Sequence, residues 1–123
     1  LRSVGLDGSV STMAGSGKAG FSDGAMTGAQ FNLPEGIARD QAGDLFISDT
    51  GNFRVREISG TTVTTIAGNG TGGYIDADDR LSSELYGLEG IAVRADGKMV
   101  YVADGNRGDD GPYNRVRQVD LSH

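Results

Sequence analysis

The sequence predicts an all-β chain made of four-stranded antiparallel meanders, and three observations carry that prediction. Glycine is the compositional outlier, 21 residues of 123 against 2 prolines, and the glycines fall between short apolar runs, which implies many turns and therefore many strands. The runs themselves are rich in Val, Ile, Thr and Phe, residues that suit a pleated surface. The chain also repeats. "STMAGSG" at 11–17 falls on "TTIAGNG" at 64–70, "EGIA" at 35–38 returns at 89–92, and "LRSV" at the start matches "VREI" at 55–58 and "VRQV" at 116–119. Three registers agreeing on one spacing identify a structural repeat.

Taken in order, residues 1–15 hold two strands around the turn "LDG", the third and fourth of a partial unit. A connector follows over 16–35. Residues 36–68 form the complete unit, "GIARD", "LFISD", "RVREI" and "TVTTIAG", separated by "DQAG", "DTGN" and "SGTT". Asp, Asn and Gly in those separators supply local hydrogen bonds or positive φ. A second connector covers 69–89, and residues 90–121 supply the first three strands of a third unit.

A free meander would alternate apolar and polar residues, yet "LFIS" and "MVYVA" are nearly continuous apolar runs, which predicts sheets covered on both faces. Four-stranded units at this period, stacked face to face, describe β-propeller blades better than a solenoid, with the small residues of "GIA" on the strand nearest the axis. The strands amount to about two and a quarter blades, whereas a closed ring needs roughly four to eight. The chain is therefore expected to be a piece of a longer propeller or one of several copies that complete a ring. Exposed blade edges make self-association the expectation in both cases.

Composition narrows function by exclusion. At 37% hydrophobic residues the chain supports one modest core, and a net charge of −6 leaves no basic surface for nucleic acid. No cysteine is present, so thiolate metal sites and disulfides are excluded. No apolar run approaches the roughly 20 residues of a membrane helix, so no membrane insertion is expected. The chain starts at Leu1 without an initiator Met, and any targeting segment is expected to lie upstream or to have been removed.

The stretch "LPEGIARDQAGDLFISDTGNFRVREI" followed by "VTTIAGNG" resembles the NHL repeat, and "VSTMAGSGKAGFSDGAMTGAQFNLPEGIA" is similar to the connector common in bacterial NHL proteins. The resemblance implies a propeller, often six-bladed, and a secreted or periplasmic setting. It fixes no single activity, since NHL proteins include binding platforms and a few enzymes.

Antiparallel order places the turns between second and third strands on the same face as the connectors between blades. That face holds the long segments 16–35, 69–89 and 105–114, and long loops on a rigid scaffold are where binding resides. It is acidic and studded with aromatics: Asp23, Asp76, Asp78, Asp79, Glu84, Asp104, Asp109 and Asp110, with Phe21, Tyr74, Tyr86 and Tyr113 among them. Phe21 and Tyr74 hold equivalent repeat positions and read as anchors of the connectors. The candidate partner contacts are Asp76, Asp78, Asp79, Tyr86, Asn106, Arg107, Asp109, Asp110 and Tyr113. Asp49, Asn52, Arg54, Asp104 and Arg115 match the recurring Asp and Arg of the NHL motif and read as structural. Asp49 is expected to pair with Arg54 and Asp104 with Arg115, contributing roughly 0–1 kcal/mol as surface pairs.

Catalytic signals are weak. The only histidine is His123, which leaves a Ser-His-Asp triad or a His-ligated zinc unsupported. "DGNRGDDG" at 104–111 is rich in oxygen ligands but lacks the D-x-D-x-D-G register and bidentate Glu of an EF-hand, so no cofactor is expected and calcium is the one ion weighed. "GSGKAG" at 15–20 lacks the full phosphate-loop pattern and is a connector. The leading expectation is a non-catalytic binding platform that presents its long acidic and aromatic loops to a protein or glycan partner. The alternative is part of a calcium-dependent hydrolase or lyase propeller completed by missing blades, with Glu35 and Glu89 as the recurrent carboxylates near the axis.

Overall fold

The computed structural model describes residues 1–105 and 114–122. Its strands are β1 (Arg2–Val4), β2 (Val10–Thr12), β3 (Gly24–Ala25), β4 (Pro34–Arg39), β5 (Leu45–Asp49), β6 (Arg54–Ser59), β7 (Thr62–Ala67), β8 (Gly87–Val93), β9 (Met99–Gly105) and β10 (Arg115–Asp120). They form three antiparallel sheets, β1-β2, β3-β7-β6-β5-β4 and β10-β9-β8, which stack as blades without closing a ring. Among the described residues two single-turn 3-10 segments, Thr50–Asn52 and Arg80–Ser82, interrupt the all-β pattern. No helix of the described residues is long and apolar enough to cross a membrane.

The central sheet is the complete meander β4 to β7, and its turns follow from local chemistry. Asp40 accepts from the amides of Gly43 and Asp44, both at 2.9 Å, closing the β4–β5 turn. Between β5 and β6 the chain makes one 3-10 turn and leaves it at Phe53, which takes the left-handed conformation at φ 53°. The sheet also has a strand that the repeat did not announce. β3 lies within the first connector and pairs with the outer strand β7, Gly24 opposite Val63 and Ala25 opposite Thr62.

Two apolar cores flank the central sheet. Phe46, Val55, Ile66 and Ala67 pack with Leu85, Leu88, Val100, Val102 and Val119 of the third blade. Ile47, Ile58 and Val63 pack on the opposite face with Ala14, Ala29 and Phe31. Adjacent residues Phe46 and Ile47 thus serve different cores, which is why "LFIS" lacks polar alternation. Full burial of side chains of this size contributes about 1.5–3 kcal/mol each.

The matching expectation for "MVYVA" needs correction. Val100 and Val102 are fully buried, whereas Tyr101 is 40% exposed and Ala103 is exposed, so β9 is covered on one face only. Among the described residues no blade lies beyond it.

Around the axis, β4 and β8 run side by side. Their approach is so close that a Cβ on Gly36 would stand 2.2 Å from the Glu89 carbonyl oxygen. A blade-to-blade hydrogen bond adds to this contact, the buried Thr50 hydroxyl donating to the Leu88 carbonyl.

Candidate functional site

Both connectors cross the same face, and each is fastened there by one arginine of the third strand of its blade. In the central blade this is Arg56, fully buried on β6. Its guanidinium donates to Asp49 (2.7 Å), to Asp23 from Nε and Nη2 (3.1 and 2.8 Å), and to the carbonyls of Gln30 (3.0 Å) and Ser22 (2.8 Å). In the third blade Arg117 on β10 donates to Asp104 (3.0 Å), to Asp76 (3.0 and 2.6 Å), and to the carbonyls of Glu84 (3.0 Å) and Ile75 (3.1 Å). The two clusters match group for group. In each, one fixed carboxylate from the second strand and one from the connector meet the planar fork of a guanidinium, which suits paired acceptors.

The clusters overturn the expected pairs. Asp49 lies opposite Arg54 in the strand register, but its carboxylate takes Arg56, and Asp104 takes Arg117. Arg54 and Arg56 share a side of β6 by strand alternation. The side chain at the mouth of the strand reaches outward, and the one a step deeper turns onto the buried acid. Arg54 donates to the carbonyls of Asn52 and Asn69 and sits 3.8 Å from the ring centroid of Phe21. Arg115 lies in the same way 4.8 Å from the ring centroid of Tyr74. The aspartates are not surface pairs either: Asp49 is fully buried and Asp104 is 1% exposed. Asp49 also accepts from the Asn32 amide and the Asn52 side chain, and Asp104 from the amides of Tyr86 and Gly87. Sequence reading missed Arg56 and Arg117. The signal was present in the alternating arginines of "RVREI" and "RVRQV".

These clusters also redistribute the acidic residues. Asp23, Asp49, Asp76 and Asp104 share two buried arginines, which offset half of their charge, so the face is less acidic than a count of its acids implies. Asp76 is a connector clamp. Asp79 caps the 3-10 segment, accepting from the Leu81 amide and the Ser82 hydroxyl, and these bonds hold its carboxyl below the usual carboxylate range. Tyr86 is half-buried and stacked on Phe53 with centroids 6.0 Å apart. Asp78 is exposed. Asn106, Arg107, Asp109, Asp110 and Tyr113 lie outside the described residues.

The face then presents two aromatic–arginine pairs, one per connector. Phe21 is 43% exposed beneath Arg54, and Tyr74 is 45% exposed beneath Arg115. Among the described residues no group of three or more acidic or histidine side chains is placed to hold a metal ion. Glu35 and Glu89 are exposed on β4 and β8.

Comparison with known proteins places this geometry. The family model for the NHL repeat matches residues 31–58. Protein SUPPRESSOR OF QUENCHING 1, chloroplastic, of Arabidopsis thaliana is 51% identical over 49 residues, which are 40% of this chain and 5% of that protein. A solved structure of a protein of unknown function from Bacteroides thetaiotaomicron superposes with a TM-score of 0.76 at 21% identity, over 85% of this chain and 27% of that one. Auxiliary nutrient binding proteins from Bacteroides thetaiotaomicron and Bacteroides ovatus follow. Their TM-scores are 0.67 and 0.64 at 20% and 23% identity, over 97% and 84% of this chain and 32% and 29% of theirs. The chain thus spans about a third or less of each structure, and at these identities the likeness is one of fold.

Proposed function

Because the chain is an NHL-repeat protein built of β-propeller blades, we propose that it is a non-catalytic binding module whose connector face receives a protein or glycan partner. The observation that carries this reading is the pair of half-exposed rings, Phe21 and Tyr74, each held under an arginine at equivalent positions of successive blades. Aromatic residues and Arg are the side chains enriched at recognition surfaces, and a flat ring beside a cation offers stacking and charged hydrogen bonding at low entropic cost. The connectors that bear them are fastened by Arg56 and Arg117, so little ordering remains to be done on binding. The likeness to two nutrient-binding proteins supports a binding role.

Screening the chain on arrays of glycans and of protein fragments identifies a ligand, whose affinity is then measured for Phe21→Ala and Tyr74→Ala. Each substitution is expected to weaken binding about tenfold, the loss typical of a contact worth more than 1 kcal/mol. Unchanged affinity in both variants would place the binding surface elsewhere. Charge reversal at Asp109 and Asp110, with Tyr113→Ala, tests the part of the face read from sequence alone.

A further inference from the structure

The turn that leaves β7 carries the conditions for a covalent change in the chain itself. Of the asparagines in the sequence, Asn69 alone is followed by glycine. Gly70 is not interchangeable: it takes φ +91°, and a Cβ there would stand 2.5 Å from Nη2 of Arg54. The missing side chain also leaves the Gly70 nitrogen open to the side-chain carbonyl carbon of Asn69. Three features of the turn favour attack of that nitrogen on Cγ. The Gly70 amide donates to no acceptor among the described residues, so no hydrogen bond holds its proton. The Thr71 amide donates to Asn69 Oδ1 at 2.7 Å, and a donor on that oxygen stabilises the oxyanion that forms when Cγ is attacked. Asn69 is also exposed, so water reaches the product.

We propose that Asn69 is a site of spontaneous deamidation and isomerisation, and that the reaction converts Arg54 from a carbonyl-bound cation into an ion-paired one. The Gly70 nitrogen gives its proton to water and bonds to Cγ. The Cγ–Nδ2 bond breaks, and Nδ2 takes up a proton and leaves as ammonia. Water then adds to one carbonyl of the cyclic imide and breaks that carbonyl's bond to the Gly70 nitrogen. Opening at Cγ gives aspartate. Opening at the main-chain carbonyl gives isoaspartate, in which the backbone runs through Cγ and the former main-chain carbonyl is a free carboxylate.

Both products act on the Arg54–Phe21 pair. Among the described residues Arg54 meets two carbonyls and a ring but no carboxylate, and one of those carbonyls is that of Asn69, at 3.0 Å from Nη2. Aspartate puts a negative charge on the residue that holds Arg54, and isoaspartate makes the accepting carbonyl itself an anion. A charged acceptor holds a guanidinium roughly twice as strongly as a neutral one, so Arg54 is drawn toward residue 69 and its charge is offset. The corresponding turn one blade earlier cannot react. Ser16 precedes Gly17 there, and the Lys18 amide donates to the Ser16 hydroxyl at 3.3 Å. A side-chain oxygen thus serves the turn in both copies, and the second copy supplies it on a group that can lose ammonia. Any effect on partner binding rests on the reading of Phe21 and Arg54 given above, whereas the reaction does not.

The test has two arms. In the first, the unmodified folded chain is held in mildly alkaline buffer beside a urea-denatured sample, and the tryptic peptide 57–80 is weighed over time. Asn69 carries the one side-chain amide of that peptide, so its mass reports this residue alone. The peptide from the folded chain is expected to gain the mass of an amide turned into an acid and to become a substrate for isoaspartyl methyltransferase. Asn69→Ser, which copies the earlier turn, is expected to show neither change. A folded chain that keeps the amide while the denatured chain loses it would overturn the site. In the second arm nuclear magnetic resonance follows the Arg54 Nε–H and the Phe21 ring. Both signals are expected to shift in the aged protein and in Asn69→Asp, and further than in Asn69→Ser. Equal shifts in the two variants would overturn the ion pairing of Arg54. Neither arm uses a partner, so a failure of the proposed binding face is read separately.

Discussion

The central blade and the third blade are built on one repeat, with the same arginine cluster and the same axial strand, but differ in closure. Around Arg56 the cluster is sealed by Thr65 of β7, and the guanidinium is fully buried. Around Arg117 there is no fourth strand among the described residues, and Asp76 stands largely in water. The difference teaches that one hydrogen-bond pattern has two energetic values, set by the sheet around it. A buried guanidinium that loses an acid, or an acid that loses its guanidinium, leaves an uncompensated charge in low dielectric, whereas an exposed acid is rehydrated.

The comparison is broken most directly by truncating each arginine. Arg56→Ala leaves Asp49 buried and unpaired and is expected to cost about 3–5 kcal/mol. Arg117→Ala also leaves a buried acid, Asp104, unpaired, but its other partner Asp76 is largely exposed and is rehydrated, so the loss is expected at the lower end of that range, about 3 kcal/mol. Urea midpoints of the two variants decide the matter, and equal losses would remove the distinction drawn between sealed and open blades.

The repeated "EGIA" gives the next contrast. A Cβ at Gly36 meets the Glu89 carbonyl at 2.2 Å, whereas one at Gly90 meets nothing nearer than the Ala103 Cβ at 3.8 Å. Gly36→Ala must push β4 from β8, an overpacking expected to cost about 1–3 kcal/mol. Gly90→Ala has room, and the restricted unfolded chain is expected to stabilise it by about 0.4–1 kcal/mol. Opposite signs in paired thermal melts are the expected result. A stable Gly36→Ala would show that the axial strands are looser than their geometry implies.

Thr65→Val isolates the seal itself. It keeps the shape and removes the hydroxyl bond to Asp23, with an expected loss of about 0.5–1.5 kcal/mol by urea unfolding. No loss would mean that burial by β7, and not its hydrogen bonds, closes the central cluster.

The same contrast explains what the sequence could convey. Repeat period and strand order follow from glycine spacing, turn residues and apolar runs, all of which are local signals, whereas the composition suggested one modest core and the structure divides it into two, one on each face of the central sheet. β3 escaped because two residues, Gly24 and Ala25, carry no periodicity, and their pairing depends on β7 about 40 positions away. The arginine partners were misassigned because Arg54 and Arg56 alternate onto one side. Choosing between them requires knowing that the connector carbonyls of Ser22 and Gln30 close around the second. The one-sided exposure of "MVYVA" was illegible in principle. An apolar run reports what a strand is built to face, and Tyr101 and Ala103 face no second blade here.

The smallest expected effect lies on the other side of β6, where the blades differ by one atom pair in charge. Glu57 corresponds to Gln118 in the third blade. Burial, followed by the charges of Asp44 and Asp40, raises its carboxyl above the ordinary carboxylate value. A carboxyl raised in the folded state binds more protons there than in the unfolded chain. Its folded form is therefore favoured at low pH, and that contribution is lost as pH rises from the ordinary carboxylate value through the raised one. Glu57→Gln makes the central blade resemble the third and removes the loss. The variant is expected to be more stable than the parent at neutral pH, by no more than a few tenths of a kcal/mol at this half-buried position, where solvent screens the charge. The difference should shrink to nothing as pH falls through that window. Thermal melts of parent and variant across pH 4–7 check it. A gap that stays constant with pH would assign the effect to packing against Phe46 and Thr64, the cross-strand neighbours of Glu57, and not to charge.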